Sequence, residues 1–130
     1  NVVTATMTGA QIKATLEQGL DATGPIQALA PSAGFAFTYD LARPSGDRIV
    51  AITFDGQPLA MDKPYRVTVN GFLALGGDGF TGFANMPESV TGPTDIDALE
   101  SWIKAAPVRE VPQERRAGAQ PISSPAAILR

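Results

Sequence analysis

The sequence predicts an α+β fold, with a mixed or antiparallel sheet and flanking helices. Three observations carry this. Four short runs show strand chemistry: Val2–Thr6, Phe35–Tyr39, Val50–Phe54 and Tyr65–Val69. Two segments repeat apolar residues at helical spacing behind clear start signals. The order is strand, helix, strands, glycine-rich segment, helix. A doubly wound parallel sheet would need regular strand–helix alternation instead.

Val2–Thr6 is β-branched except at Ala5 and suits a strand. Thr8 then starts a helix. Gln11 stands three residues on, completing a capping box, and Met7 and Ile12 occupy the staple positions. Ile12, Leu16 and Leu20 form its apolar stripe, with Lys13 and Glu17 on the solvent side and Gly19 as the stop. Asp21–Ala33 reads as a loop. Phe35, Phe37 and Tyr39 alternate on one side of the next strand, and Val50, Ile52 and Phe54 on one side of the strand after it. Arg43–Asp47 supplies the turn between these two strands, and Asp55-Gly56 forms a tight turn. A further turn at Asp62–Pro64 leads into Tyr65, Val67 and Val69.

Asn70–Phe83 (NGFLALGGDGFTGF) breaks the pattern with five glycines and three phenylalanines. The last helix begins at Thr94, with Asp95 and Asp97 favouring its positive end and Ile96, Leu99, Trp102 and Ile103 as its core-facing stripe. After Pro107 the composition turns to Arg, Pro, Gln and Ser. This divides the chain into a domain over 1–107 and a weakly ordered tail or linker over 108–130, with one late strand near Ile122.

The composition excludes several functions. A chain of 130 residues with 44% hydrophobic and 18% charged side chains forms one domain with a core. Ten Lys and Arg against thirteen Asp and Glu leave a net charge of −3, which argues against a nucleic-acid partner. Histidine and cysteine are both absent. That removes a Ser-His-Asp triad, a cysteine nucleophile, disulfides and the usual zinc sites. A metal site would have to be all oxygen, which suits calcium or magnesium. No apolar run is long enough to span a membrane. The chain opens directly on strand-like residues, without Met or a leader, and so reads as a piece of something longer.

Most of the carboxylates fall in turns or caps, where Asp has a structural role. Gly76-Gly77-Asp78-Gly79 stands apart. A turn needs one glycine or two; three around one Asp let backbone approach a ligand closely, with a carboxylate at the tip. Such a carboxylate can accept hydrogen bonds from two vicinal hydroxyls, as on a ribose. The alternating ligands of a calcium loop and the Gly-Lys-Ser/Thr ending of a phosphate loop are both missing. Phe72, six residues before Asp78, reads from spacing alone either as core or as a ring on which a base could stack.

Met7–Lys13 (MTGAQIK), Gly46–Val50 (GDRIV) and Tyr65–Phe80 (YRVTVNGFLALGGDGF) together resemble the C-terminal domain of the 5′-nucleotidase family of metallophosphatases. The resemblance covers Val2 to about Pro107, and the last segment is its most specific part. It implies the substrate-binding domain of an enzyme whose N-terminal metallophosphatase domain carries two divalent metal ions. By that match Phe72 stacks on the base and Asp78 binds the ribose hydroxyls, with Gly76 and Gly77 shaping the substrate site. No catalytic residue, metal ligand or cofactor is expected in this chain. The implied partners are a nucleotide or nucleoside and the metallophosphatase domain, and the implied location is extracytoplasmic (periplasm, cell wall or secreted). The family's second stacking phenylalanine falls before Asn1. A domain cut there should expose apolar surface and form a homodimer or a swapped pair. The alternative reading is a non-catalytic interaction or scaffold domain of a cell-surface protein.

Overall fold

The computed structural model describes residues 1–120. It contains two small sheets around one apolar cluster. In the first, β1 (Val2–Thr8) lies between β5 (Pro64–Asn70) and β6 (Val90–Thr91), antiparallel to both. In the second, the order is β4 (Gln57–Pro58), β3 (Ile49–Phe54), β2 (Phe35–Tyr39) and β7 (Ala117–Ala119). The β2–β7 pair is parallel and the others are antiparallel, so this sheet is mixed.

Helix α1 (Gly9–Gln18) joins the two sheets. Its capping box is present: the Gln11 N–H donates to Thr8 Oγ1 at 3.2 Å, and the Thr8 N–H donates to Gln11 Oε1 at 2.9 Å. Ile12, Leu16 and Leu20 are buried with Phe37, Ile49, Ile52, Phe80 and Phe83. Glu17, expected in solvent, is buried too. Its carboxylate accepts the backbone N–H groups of Arg48 and Ile49 at 2.8–2.9 Å, tying the helix to the start of β3. The Arg48 side chain returns the contact, donating to the carbonyls of Leu20 at 2.7 Å and Arg43 at 2.9 Å.

Asp55 and Gly56 both have positive φ, as the tight turn between β3 and β4 requires. The β3 alternation departs from expectation at one residue. Phe37 pairs with Ile52 and Thr38 with Ala51, but Tyr39 pairs with Ile49, so Val50 is the extra residue of a bulge. Ile49 therefore takes the core position, and Val50 is exposed. Phe35, Phe37 and Tyr39 do share one side, with ring centroids 6.5 and 6.2 Å apart.

The stripe of the last helix, α3 (Asp95–Lys104), is the larger departure. Thr94 caps it as expected, its Oγ1 accepting from the Asp97 N–H. Yet Ile96, Leu99, Trp102 and Ile103 are all more than half exposed. Helical periodicity identifies an apolar side but not what covers it. Within the described residues nothing does, apart from the Arg109 guanidinium 4.0 Å above the Trp102 ring. Segment 108–130, expected as a tail, contributes β7 beside β2. Its Ala-Gly-Ala sequence carries no strand signal of its own, and the expected strand near Ile122 lies outside the described residues.

Candidate functional site

Strand β5 delivers the chain to the site. Asn70 ends the strand opposite Val2 and caps a single helical turn, α2 (Gly71–Ala74), by accepting the Leu73 N–H at 2.8 Å. The cap turns the backbone sharply, leaving Phe72 on the outside of the turn. Its side chain is 58% exposed, which sets aside the core reading of that ring. Asn1 lies alongside: its carbonyl oxygen stands 3.1 Å from where a Cβ on Gly71 would be, and its side-chain amide donates to the Gly92 carbonyl at 3.1 Å.

The glycine-rich turn follows. Gly76 and Gly79 both have φ of +83°, and Asp78 between them has φ of +55°. Three left-handed residues within four positions force a hairpin of backbone, which only a glycine-rich segment adopts without steric cost. Asp is among the few side chains that tolerate this region, at a penalty of about 1 kcal/mol. Asp78 is exposed, and its carboxylate has no hydrogen-bond partner among the described residues.

Phe72 and this turn are in contact. A Cβ on Gly77 would stand 2.5–2.7 Å from three carbons of the Phe72 ring, so the ring lies directly on the Gly77 backbone. More than half of the Phe72 surface nonetheless stays exposed. The Phe72 ring thus lies against the Gly77 backbone, and Asp78 is the next residue along the turn. Phe80 and Phe83, by contrast, are buried core residues with centroids 6.1 Å apart.

The described residues contain no group of three or more His, Cys, Asp or Glu side chains that could hold a metal ion. With no His or Cys in the chain and its carboxylates dispersed, these residues do not fit a dinuclear metal centre. No helix among them is long and apolar enough to cross a membrane. A separate open groove of about 770 Å³ runs between the sheets, lined by apolar side chains including Leu16, Phe35, Phe54, Tyr65 and Val67. It touches the site only through Leu73.

Residues 1–85 match the family model described as the C-terminal domain of 5′-nucleotidase, and the chain belongs to that family. The 5′-nucleotidase of Diplobatis ommata is 38% identical over 80 residues, covering 55% of this chain and 14% of that protein. The trifunctional nucleotide phosphoesterase protein YfkN of Bacillus subtilis is 36% identical over 85 residues, covering 61% of this chain and 6% of its own length. Among solved structures, the 5′-nucleotidase precursor of Thermus thermophilus superposes with a TM-score of 0.79 at 32% identity, over 95% of this chain and 25% of that one. The NAD nucleotidase of Haemophilus influenzae shares the fold, with a TM-score of 0.77 at 24% identity, over 92% of this chain and 24% of that one. The chain therefore spans a quarter or less of each of these proteins.

Proposed function

We propose that this chain recognises the nucleoside end of the substrate of a 5′-nucleotidase-type phosphohydrolase. The observation that carries the reading is the exposed Phe72 ring laid on Gly77, with exposed Asp78 the next residue of the same turn. A base stacks on the ring, and the vicinal ribose hydroxyls donate to the carboxylate. The phosphate end of such a ligand has no cation in this turn to receive it and extends away, toward a second domain. In this proposal that domain is an N-terminal metallophosphatase domain with two divalent metal ions, which activate water and stabilise the phosphoryl charge when bound. This chain's residues only bind and orient. Family membership supports these assignments, together with an extracytoplasmic location.

The exposed stripe of α3 and the open groove support a further partner, a second copy of this chain. They also favour the alternative reading, an interaction domain without catalysis. Titration with adenosine, followed residue by residue by NMR, separates the two. Shifts confined to Asn70–Phe80 and lost in Phe72→Ala and Asp78→Asn support nucleoside recognition. Shifts absent there leave the interaction reading.

A further inference from the structure

We infer that Gln18, at the end of α1, is the positioning residue for the Asp78 turn; this rests on the nucleoside-recognition reading above. The turn is closed by backbone hydrogen bonds alone, from the Gly76 N–H to the Leu73 carbonyl at 2.8 Å and from the Phe80 N–H to the Gly77 carbonyl at 3.1 Å. It is nearly all glycine, and no side-chain cap closes it. Its exit is anchored instead. The Gln18 amide spans the two residues after Phe80: its Nε2 donates to Thr81 Oγ1 at 2.7 Å, and its Oε1 accepts the Gly82 N–H at 3.0 Å. Both ends of one rigid amide are thus used on adjacent residues, three and four positions after Asp78.

Close packing on the same helix turn reinforces this clasp. A Cβ on Gly82 would overlap Thr15 Oγ1, and Thr15 is itself fixed by donating to the Gln11 carbonyl at 2.7 Å. A Cβ on Gly19 would overlap the Gln27 carbonyl oxygen and stand 2.8 Å from Phe80 Cζ, so glycine at position 19 admits both Gln27 and Phe80, which is 1% exposed. The chain bearing the carboxylate therefore leaves a fixed point on α1. Removing the Gln18 amide takes away the side-chain anchor on Thr81 and Gly82 and leaves buried Phe80 as the remaining hold on the chain that bears Asp78, so the carboxylate is positioned less tightly. The Phe72 ring sits before the turn, on an independently capped helical turn. Loss of Gln18 should thus impair hydroxyl recognition more than base stacking.

The test compares adenosine with 2′,3′-dideoxyadenosine, which lacks both vicinal hydroxyls, by NMR titration of the 130-residue chain well below its unfolding temperature. The wild type should prefer adenosine by about tenfold, the scale of a hydrogen bond to a charged group. Gln18→Ala should reduce that preference at least threefold, weakening dideoxyadenosine less than adenosine. Gln18→Glu should restore it, since a carboxylate accepts both the Gly82 N–H and the rotatable Thr81 hydroxyl. Thr81→Val, which removes one of the two bonds, gives an intermediate loss and serves if Gln18→Ala fails to fold. A role confined to stability would lower the melting temperature without moving the ratio. An unchanged ratio in both Gln18→Ala and Thr81→Val, while Asp78→Asn abolishes the preference, overturns the inference and leaves the reading intact. A ratio insensitive to Asp78→Asn, or a wild type without preference, overturns both.

Discussion

Replacing Gly77 by alanine isolates the Phe72 ring. A methyl group there would lie 2.5, 2.6 and 2.7 Å from Cε1, Cζ and Cδ1 of the ring. Carbon atoms rest about 3.5–4.0 Å apart, so the ring must retreat by about 1 Å or swing out. It has room to do so, because the side chain is 58% exposed. The backbone is no obstacle, because Gly77, unlike Gly76 and Gly79, does not have positive φ. Alanine also reduces the freedom of the unfolded chain, worth about 0.4–1 kcal/mol. Folding stability should therefore stay within about 1 kcal/mol of wild type. Binding should not: a base stacked on an aromatic side chain contributes about 1–3 kcal/mol, and a displaced ring loses most of that. The expected result is adenosine affinity weakened about tenfold with little change in thermal midpoint, read by NMR titration and calorimetry. The two substitutions should also be non-additive, since Gly77→Ala acts through the ring. If Gly77→Ala weakens adenosine equally in a Phe72→Ala background, the methyl acts elsewhere and the reasoning fails.

Other perturbations probe the frame and the turn. Glu17→Ala orphans the N–H groups of part-buried Arg48 and buried Ile49 and should cost about 2–6 kcal/mol in urea unfolding, counting about 1–3 kcal/mol for each. Glu17→Gln keeps Oε1 for both donors but puts an NH2 where Oε2 accepts from the Arg48 N–H, so it should recover part of that loss; equal stability of the Ala and Gln variants would contradict the account. Asp78→Asn should leave stability within about 0.5 kcal/mol, because Asn tolerates the left-handed region, while removing the preference for vicinal hydroxyls. The Thr23 backbone N–H donates to the Asp21 carboxylate and holds its pKa below the usual aspartate range. A lowered folded-state pKa stabilises above the unfolded value, and that contribution disappears as pH falls through the folded one. Asp21→Asn should therefore flatten part of the acid limb of the stability profile; an unchanged limb would show the turn contributes nothing. Finally, the chain should self-associate in sedimentation equilibrium. Trp102→Glu on the exposed stripe should shift it toward monomer, whereas a wild type that stays monomeric at millimolar concentration would count against a second copy as partner.

The elements are legible in the sequence where local chemistry decides them. The Thr8–Gln11 capping box, the Asp55-Gly56 turn and the Thr94 cap all depend on residues within a few positions of one another, and all three form. Features set by tertiary packing are not legible. Glu17 carries a charge on what reads as a polar helix side, and only the approach of β3 shows that two backbone donors need it. Val50 and Ile49 exchange places through a bulge that leaves no mark in the alternation. Gly19 reads as a helix stop, yet its φ of −76° is ordinary and its use is the close approach of the Gln27 carbonyl and of Phe80. At the site, the density of glycine around Asp78 points to a backbone excursion, and the φ values give its form. Spacing leaves Phe72 ambiguous between core and surface, and its position over Gly77 decides the matter. Gln18 gives no signal, because a glutamine on a helix is ordinarily solvated.

The measurement that tests the central claim most directly is an adenosine titration of the 130-residue chain, followed by amide shifts. One stacked ring contributes about 1–3 kcal/mol, and hydrogen bonds to a carboxylate about 1.5–3 kcal/mol. Their sum brackets the roughly 4.1 kcal/mol of a millimolar complex. The account predicts saturable shifts in the millimolar range, centred on Asn70–Phe80, weakened by Phe72→Ala and by Asp78→Asn. Shifts centred on the groove between the sheets, or undiminished in both variants, would contradict it.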